Sequence, residues 1–360
     1  MKRILSLVMV MVMVFAVVLI TGCSANNAPT ADTKPAETAK PADAAKPADA
    51  TKPAETAKGP VDVAVIIKAT DSDFWQYVLI GAENYAKENP DKVKVTTYGP
   101  KSEADIDKQI AILEDVISKK PGAIVIASTS SDASVPALEK AVAQGIKVIT
   151  VDNRVKTDKI NSFLATNNKK GGAAAAEKLV ESLKAKNIPL KGKIGVISAM
   201  AGIQVLTDRD TGFIEKMKEL APDVKILETR YTDNDIVKAL GVAQDLLTAN
   251  KDLIGFFADN NHTGDGVARA IKEGKLENKV MAVAFDSDPE EVDSLKSGAL
   301  KALILQDPYG MGYKGTDFAY KAVMGQSIDK EVDTGATAVT KENMDQADIK
   351  ALLDPTTKKK

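Results

Sequence analysis

From Val61 onward, short apolar runs rich in β-branched residues alternate with segments whose apolar residues recur on one helical face. Val61–Ile67, Val93–Thr97, Ala123–Ile126 and Ile146–Val151 read as buried strands. Amphipathic segments lie between them at Trp75–Glu88, Asp105–Ser118 and Ala133–Ala143. A second series follows, with strands at Lys193–Ser198, Val224–Tyr231, Leu253–Ala258 and Val280–Phe285. Its helices fall near Ala174–Lys184, Gly212–Leu220, Asp235–Ala249 and Thr263–Glu273. Nearly continuous apolar strands covered by helices predict parallel sheets in an α/β architecture. Two such series in one chain predict two similar lobes, each a doubly wound parallel sheet. The break between them falls near Thr166-Asn167-Asn168, before an Ala-rich helix that starts around Gly171-Gly172.

Upstream of Val61 the pattern changes twice. Lys2 and Arg3 precede an apolar run from Ile4 to Ile20 that only Ser6 interrupts, and the run ends in Leu19-Ile20-Thr21-Gly22-Cys23. Small residues before a cysteine at this place resemble the lipobox of bacterial lipoproteins. That resemblance implies a signal peptide over residues 1–22, cleavage before Cys23 and acylation of its thiol, palmitate included. An uncleaved membrane anchor is the alternative, because the 17-residue run is just short of a span. Two or three acyl chains would hold the mature protein on the outer side of a bilayer. Residues 23–59 repeat a Lys-Pro-Ala-acid theme, as in Lys34-Pro35-Ala36-Glu37, with almost no large apolar side chain. Such a stretch cannot bury a core and reads as a disordered spacer. At roughly 3.1 Å per residue in extended polyproline conformations, its reach is on the order of 100 Å.

Composition narrows the chemistry. The 360 residues include 48 basic and 50 acidic ones, a net charge of −2, which argues against a nucleic-acid partner. One cysteine and one histidine leave no disulfide framework and no multi-Cys or multi-His metal site. In doubly wound sheets, ligands bind beyond the carboxyl ends of the strands. The residues found there are Lys68 after Ile67, Asp152 after Val151, Asp259 and Asn260 after Ala258, Asp286 after Phe285 and Gln306 after Leu305. Thr207-Asp208-Arg209-Asp210, leading into a helix, adds a guanidinium. Any one of these suits a cap or a turn equally well, but five strand ends finishing in hydrogen-bonding side chains favour a shared site.

Carboxylates accept, Arg and Lys donate, and Asn and Gln do both. That mixture suits a neutral polyol, with charge-assisted bonds as the strong ones. The lone Trp75 stands beside Phe74 at the start of the first helix, where a flat ring can pack on the C–H face of a sugar. Neighbouring side chains do not both face one way, so at least one of the pair is expected in the cleft; the alternative is that both anchor the helix into its own core. Catalysis fits less well. His262 has no second histidine for a relay, and a surface or helix-start role suits it. Asp152 and Asp286 could form the carboxylate pair of a glycan-processing enzyme, yet carboxylates also bind hydroxyls without cleaving anything. Gly264-Asp265-Gly266 lacks the third spaced glycine of a dinucleotide loop, and no phosphate-binding loop motif is present. No cofactor and no metal is expected.

From about Val61 to Gly335 the chain resembles the type I periplasmic sugar-binding proteins, the ribose- and galactose-binding group that feeds ABC importers. The matching stretches are Phe74-Trp75, Ile149-Thr150-Val151-Asp152, Asp208-Arg209-Asp210-Thr211-Gly212-Phe213, Ala258-Asp259-Asn260, Ala284-Phe285-Asp286 and Leu303-Ile304-Leu305-Gln306. Their order and spacing carry the match, since each alone is weak. The resemblance implies that Phe74 and Trp75 wall the sugar while Asp152, Arg209, Asn260, Asp286 and Gln306 hold its hydroxyls. It also implies three crossings between the lobes, near Thr166, Gln306 and Gly335. The first lobe would then hold residues 60–166 and 307–335, and the second 167–306 and 336–360.

The chain departs from the ribose pattern at three places. Asn153 stands where ribose binders resemble one another in having Arg, with Arg154 one place late. A wall aromatic of the second lobe would fall at Asn234, leaving Tyr231 as a substitute. Lys68 replaces a small polar residue and, with Tyr98-Gly99-Pro100, looks more like the rhamnose- and autoinducer-binding branch. The expectation is therefore a monomeric, lipid-anchored extracytoplasmic binder of a mono- or short oligosaccharide that closes by a hinge and docks on an ABC transporter permease. A sensor kinase or chemoreceptor as partner remains the alternative. The export signal in place of a helix-turn-helix argues against a repressor.

Overall fold

A computed structural model describes residues 59–358. The expected leader, Cys23 and the spacer as far as residue 58 lie outside them. The first series folds as β1 (Val61–Ile66), α1 (Asp73–Glu88), β2 (Val93–Tyr98), α2 (Ile106–Ser118), β3 (Ala123–Ile126), α3 (Val135–Ala143), β4 (Lys147–Val151) and β5 (Ser162–Ala165). The second folds as α4 (Asn168–Ala185), β6 (Gly192–Ser198), α5 (Gln204–Leu220), β7 (Val224–Ile226), β8 (Arg230–Tyr231), α6 (Ile236–Ala249), β9 (Leu253–Ala258), α7 (Asn261–Gly274), β10 (Met281–Phe285), α8 (Pro289–Ser297) and β11 (Ala302–Leu305). The chain then runs through α9 (Pro308–Val323), β12 (Glu331–Asp333), β13 (Thr337–Val339), α10 (Ala347–Leu353) and a 3-10 turn at Pro355–Lys358.

The strands form two sheets of matching order, β2-β1-β3-β4-β5-β12 and β7-β6-β9-β10-β11-β13, with β8 also paired to β6. Every pairing is parallel except β11 with β13. Each sheet is covered on both faces, which is why its central strands are apolar throughout. Ala123–Ile126 lies wholly buried between one core under α2 and α3 and another under α1 and α9. Leu253–Ala258 is buried likewise, between cores under α6–α7 and under α4–α5.

The chain passes between the sheets after β5, after β11 and after β12. Two of these passages are tied together: the Thr166 hydroxyl donates to the Gly335 carbonyl at 3.1 Å, and the Thr334 N–H donates to the Ala165 carbonyl at 2.9 Å.

Glycines set the closest helix crossings. A Cβ on Gly212 of α5 would stand 2.0 Å from the Lys169 carbonyl oxygen, and one on Gly172 of α4 equally close to that of Arg209. In the other lobe, Gly81 of α1 and Gly312 of α9 make the corresponding crossing.

Three expectations need correction. Val224–Tyr231 is not one strand, because Leu227-Glu228-Thr229 separates β7, paired with the start of β6, from β8, paired with its end. Helix α5 begins at Gln204, two turns before Gly212, so Arg209 lies inside the helix. Its first turns present Val205, Leu206 and Arg209 to the cleft, a mixed face that hides the helical period. Finally, residues 336–360 do not all stay with the second lobe. Ile349 and Leu353 pack there, but Asp354-Pro355 ends the helix. The last turn then lies on the first lobe, where Lys358 accepts at its carbonyl from Asn84 and sets its ammonium 4.5 Å from the Tyr309 ring centre.

Candidate functional site

Between the sheets a narrow pocket is walled from both lobes. Lys68, Phe74, Trp75, Asp152, Arg209, Asn260, Asp286 and Gln306 all line it, brought together from positions spread over most of the folded chain.

In the first lobe, Lys68 and Asp152 follow β1 and β4 and pair at 2.6 Å, both almost fully buried. The Lys68 ammonium also lies 5.2 Å from the Trp75 ring centre. Phe74 and Trp75 meet edge to face, 4.7 Å between centres at 79°. At least one was expected in the cleft and both reach it, while each also belongs to the core beneath α1.

In the second lobe, Arg209 is the organising group. Its Nε donates to Asn168 Oδ1 at 2.8 Å and one terminal nitrogen donates to the Asp259 carbonyl at 2.7 Å; the same nitrogen lies 3.8 Å from Asp286. The guanidinium covers the Phe285 ring at 4.3 Å. Gln306 Nε2 donates to Asp286 Oδ1 at 2.6 Å. Burial pushes the Asp286 carboxyl up, while Arg209 and the Gln306 amide act against that shift. The same Gln306 leaves its Oε1 buried without a partner.

Asn260 caps α7, its Oδ1 accepting from the Thr263 N–H at 3.0 Å, and its Nδ2 donates to Asn234 Oδ1 at 2.7 Å. Asn234 thus stands behind Asn260 and not in the pocket wall. Asn153 is turned away as well, fully buried, with its amide donating to the Ser128 carbonyl at 3.1 Å. Arg154 pairs with Glu331 at 2.8 Å and covers Phe163, outside the pocket. Tyr231 is half exposed and does not line the pocket. Asp259 anchors the end of β6, accepting from the Ala199 N–H at 2.9 Å and from the Ser198 hydroxyl. His262 sits in the first turn of α7, its Nδ1 2.9 Å from the Asn234 carbonyl.

The residue signals missed Ser72, Glu103, Val205, Leu206 and Asn261, which complete the pocket wall. Ser72 and Asn261 adjoin residues already singled out, so helix-start position could have found them. Glu103, in the loop after β2, has no such signal, although its Oε1 accepts the Trp75 indole N–H at 2.7 Å. Among the described residues no group of His, Cys, Asp and Glu has the arrangement of a metal site.

The comparisons with known proteins place the chain in a family. The model of the periplasmic binding protein domain matches residues 63–327, and the chain belongs to that family. A D-ribose/D-allose-binding protein of Pseudomonas aeruginosa is 28% identical over 277 residues, covering 75% of this chain and 85% of its own. The ribose import binding protein of Escherichia coli is 28% identical over 281 residues, covering 78% and 90%. A carbohydrate transporter solute-binding protein from Agrobacterium radiobacter, solved with D-arabinose, is 38% identical and superposes with a TM-score of 0.79 over 83% of this chain and 100% of its own. An ABC transporter solute-binding protein from Agrobacterium vitis with bound D-fucose is 33% identical, with a TM-score of 0.76 over 81% and 100%. Within its family the chain is a type I periplasmic sugar-binding protein, a solute-binding component of ABC import.

Proposed function

We propose that this protein captures one neutral monosaccharide ring between its lobes, from the outer face of a membrane to which acylated Cys23 tethers it, and hands it as a monomer to an ABC transporter permease. The observation that carries the reading is the convergence of Lys68, Trp75 and Asp152 from one lobe and Arg209, Asp286 and Gln306 from the other on a single pocket. A guest that touches both lobes favours the closed arrangement by its differential contacts, and only such contacts shift the balance. Relatives solved with the monosaccharides D-arabinose and D-fucose support a single ring over an oligosaccharide. Relatives solved with D-arabinose, D-fucose and α-D-tagatopyranose support aldoses and ketoses of five or six carbons as the class to test.

The test is a thermal-shift and calorimetric panel on the full chain with D-arabinose, D-ribose, D-allose, D-fucose, D-tagatose and cellobiose. Saturable binding of at least one monosaccharide, recovered chemically unchanged, is the expected result. Tight binding of the disaccharide alone, or turnover of any sugar, would overturn the reading. Metabolic labelling with a palmitate analogue, lost in Cys23→Ser, tests the anchor.

A further inference from the structure

Five charged side chains line the pocket: Lys68 and Arg209 against Glu103, Asp152 and Asp286. Lys68 is bound to Asp152, and Arg209 lies beside Asp286. Glu103 has no ion-pair partner among the described residues, so the wall carries one formal negative charge in excess. Each donor side chain spends part of its hydrogens within the protein. Lys68 donates to Asp152, Gln306 to Asp286, Asn260 to Asn234, and Arg209 to Asn168 and a carbonyl. Two acceptor oxygens are left over. Gln306 Oε1 is buried without a partner. Glu103 uses Oε1 for the Trp75 indole, which is donor-only and buried and so needs an acceptor. A backbone carbonyl or a glutamine could fill that role without charge; a carboxylate brings a second oxygen besides.

We infer that Glu103 is a specificity-determining residue: its Oε1 positions Trp75 while its Oε2 accepts a hydroxyl hydrogen from the bound sugar, and its charge turns the cleft against sugar acids and sugar phosphates. The inference rests on the sugar-binding reading above and deepens it. These two oxygens take a guest that supplies hydrogens, which a neutral polyol does and a carboxylate or phosphate group does not, while the hydrogens left on Lys68 and Arg209 meet the same polyol's oxygens. Repulsion of a second anion in a small, largely desolvated pocket strengthens the discrimination.

Trp75 is the only tryptophan of the chain, so intrinsic fluorescence reports on this wall directly. The experiment compares the full chain with Glu103→Gln, using the tightest neutral monosaccharide of the panel above, D-galacturonate and D-ribose 5-phosphate. Glutamine keeps an oxygen for the indole, replaces the second oxygen with a donor and removes the charge. The expected result is an unchanged emission maximum without sugar, a ten- to hundredfold loss of affinity for the neutral sugar, and a preference for neutral over anionic sugar at least tenfold narrower. A Glu103→Gln protein with wild-type affinity and wild-type preference overturns this inference alone and leaves Glu103 as a brace for Trp75. A wild-type protein that binds no neutral monosaccharide overturns both this inference and the reading beneath it.

Discussion

Asp152 and Asp286 occupy the same station in the two sheets, one directly after β4 and the other directly after β10, and both adopt the left-handed backbone conformation, with φ of 62° and 74°. Each is fixed by the next strand: the Asp152 N–H donates to the Leu164 carbonyl and the Asp286 N–H to the Ile304 carbonyl, both at 2.9 Å. Positive φ at a non-glycine residue costs of order 1–3 kcal/mol and persists only where the surroundings impose it. Here the kink turns each carboxylate off the line of its strand and into the pocket, so the duplicated lobe architecture supplies two opposed acceptors.

The kink separates conformation from charge experimentally. Asp286→Asn keeps a residue type that tolerates this backbone and is expected to fold normally while weakening sugar binding by about 1.5–3 kcal/mol, the scale of a hydrogen bond to a charged group. Asp286→Val adds a β-branched side chain at positive φ and is expected to lower unfolding stability by a further ~1–3 kcal/mol. Calorimetry for binding and urea unfolding for stability check the two halves; equal stability of the two variants would show that the φ imposes no strain.

Arg209 holds three partners with one planar group, at Asn168, the Asp259 carbonyl and Asp286. Arg209→Ala is expected to weaken sugar binding by about 1.5–3 kcal/mol or more, because buried acceptors lose a charged donor. Arg209→Lys, a point charge on a flexible stem, is expected to recover only part of this. Unchanged affinity of the alanine variant in calorimetry would remove Arg209 from the site.

Much of this arrangement was readable in advance, for a physical reason. Ala123–Ile126 and Leu253–Ala258 are buried on both faces, so their apolar runs mark strand ends directly, and the residues just beyond them fall where a doubly wound sheet gathers its ligand. Arg209 was legible as a residue but not as part of a helix, since the cleft-facing turns of α5 break the amphipathic period. Asn153 stood at the right strand end, yet its amide is bound to Ser128 instead; one residue's rotation about the kinked backbone decides this, and no periodicity encodes it. Glu103 and the return of Lys358 to the first lobe depend on loop paths and on contacts between distant segments, which leave no local pattern.

The Lys68–Asp152 pair is predicted to couple strongly. Both side chains are buried and 2.6 Å apart, so removing either partner strands a charge, at a cost of about 3–5 kcal/mol. Lys68→Met and Asp152→Leu should each lose roughly that much in urea unfolding, and the double variant should lose far less than the sum of the singles. Additive losses would show that the two do not act as a pair.

Gly212 is predicted to matter for binding without touching sugar. A Cβ there meets the Lys169 carbonyl at 2.0 Å, and backbone cannot yield as a flexible side chain does. Gly212→Ala should push α5 away from α4, costing about 1–3 kcal/mol in stability and displacing Arg209 from Asn168. Thermal unfolding and calorimetry on the same protein read both effects. A loss of stability with unaltered affinity would mean that the site adjusts independently of the crossing.

The second lobe also stores protons. Asp210 and Asp265 are each pushed up to about 8, chiefly by burial and then by a neighbouring carboxylate, Asp259 in the first case and Asp288 in the second. Glu291, fully buried with neither carboxylate oxygen partnered, is raised well above its ordinary value for the same reasons. In the unfolded chain these groups titrate near pH 4. Between about pH 4 and pH 8 the folded protein therefore binds more protons than the unfolded one, and stability falls as pH rises through that window. The exposed acids with lowered values, such as Glu139 and Asp252, titrate below the window and do not offset the trend within it. Urea unfolding is expected to show a higher midpoint at pH 5.5 than at pH 8. Asp265→Asn, which resembles the protonated form, should raise the midpoint at pH 8 and narrow the difference between the two conditions. If the asparagine variant kept the full difference, Asp265 would not be one of the groups that bind the extra protons.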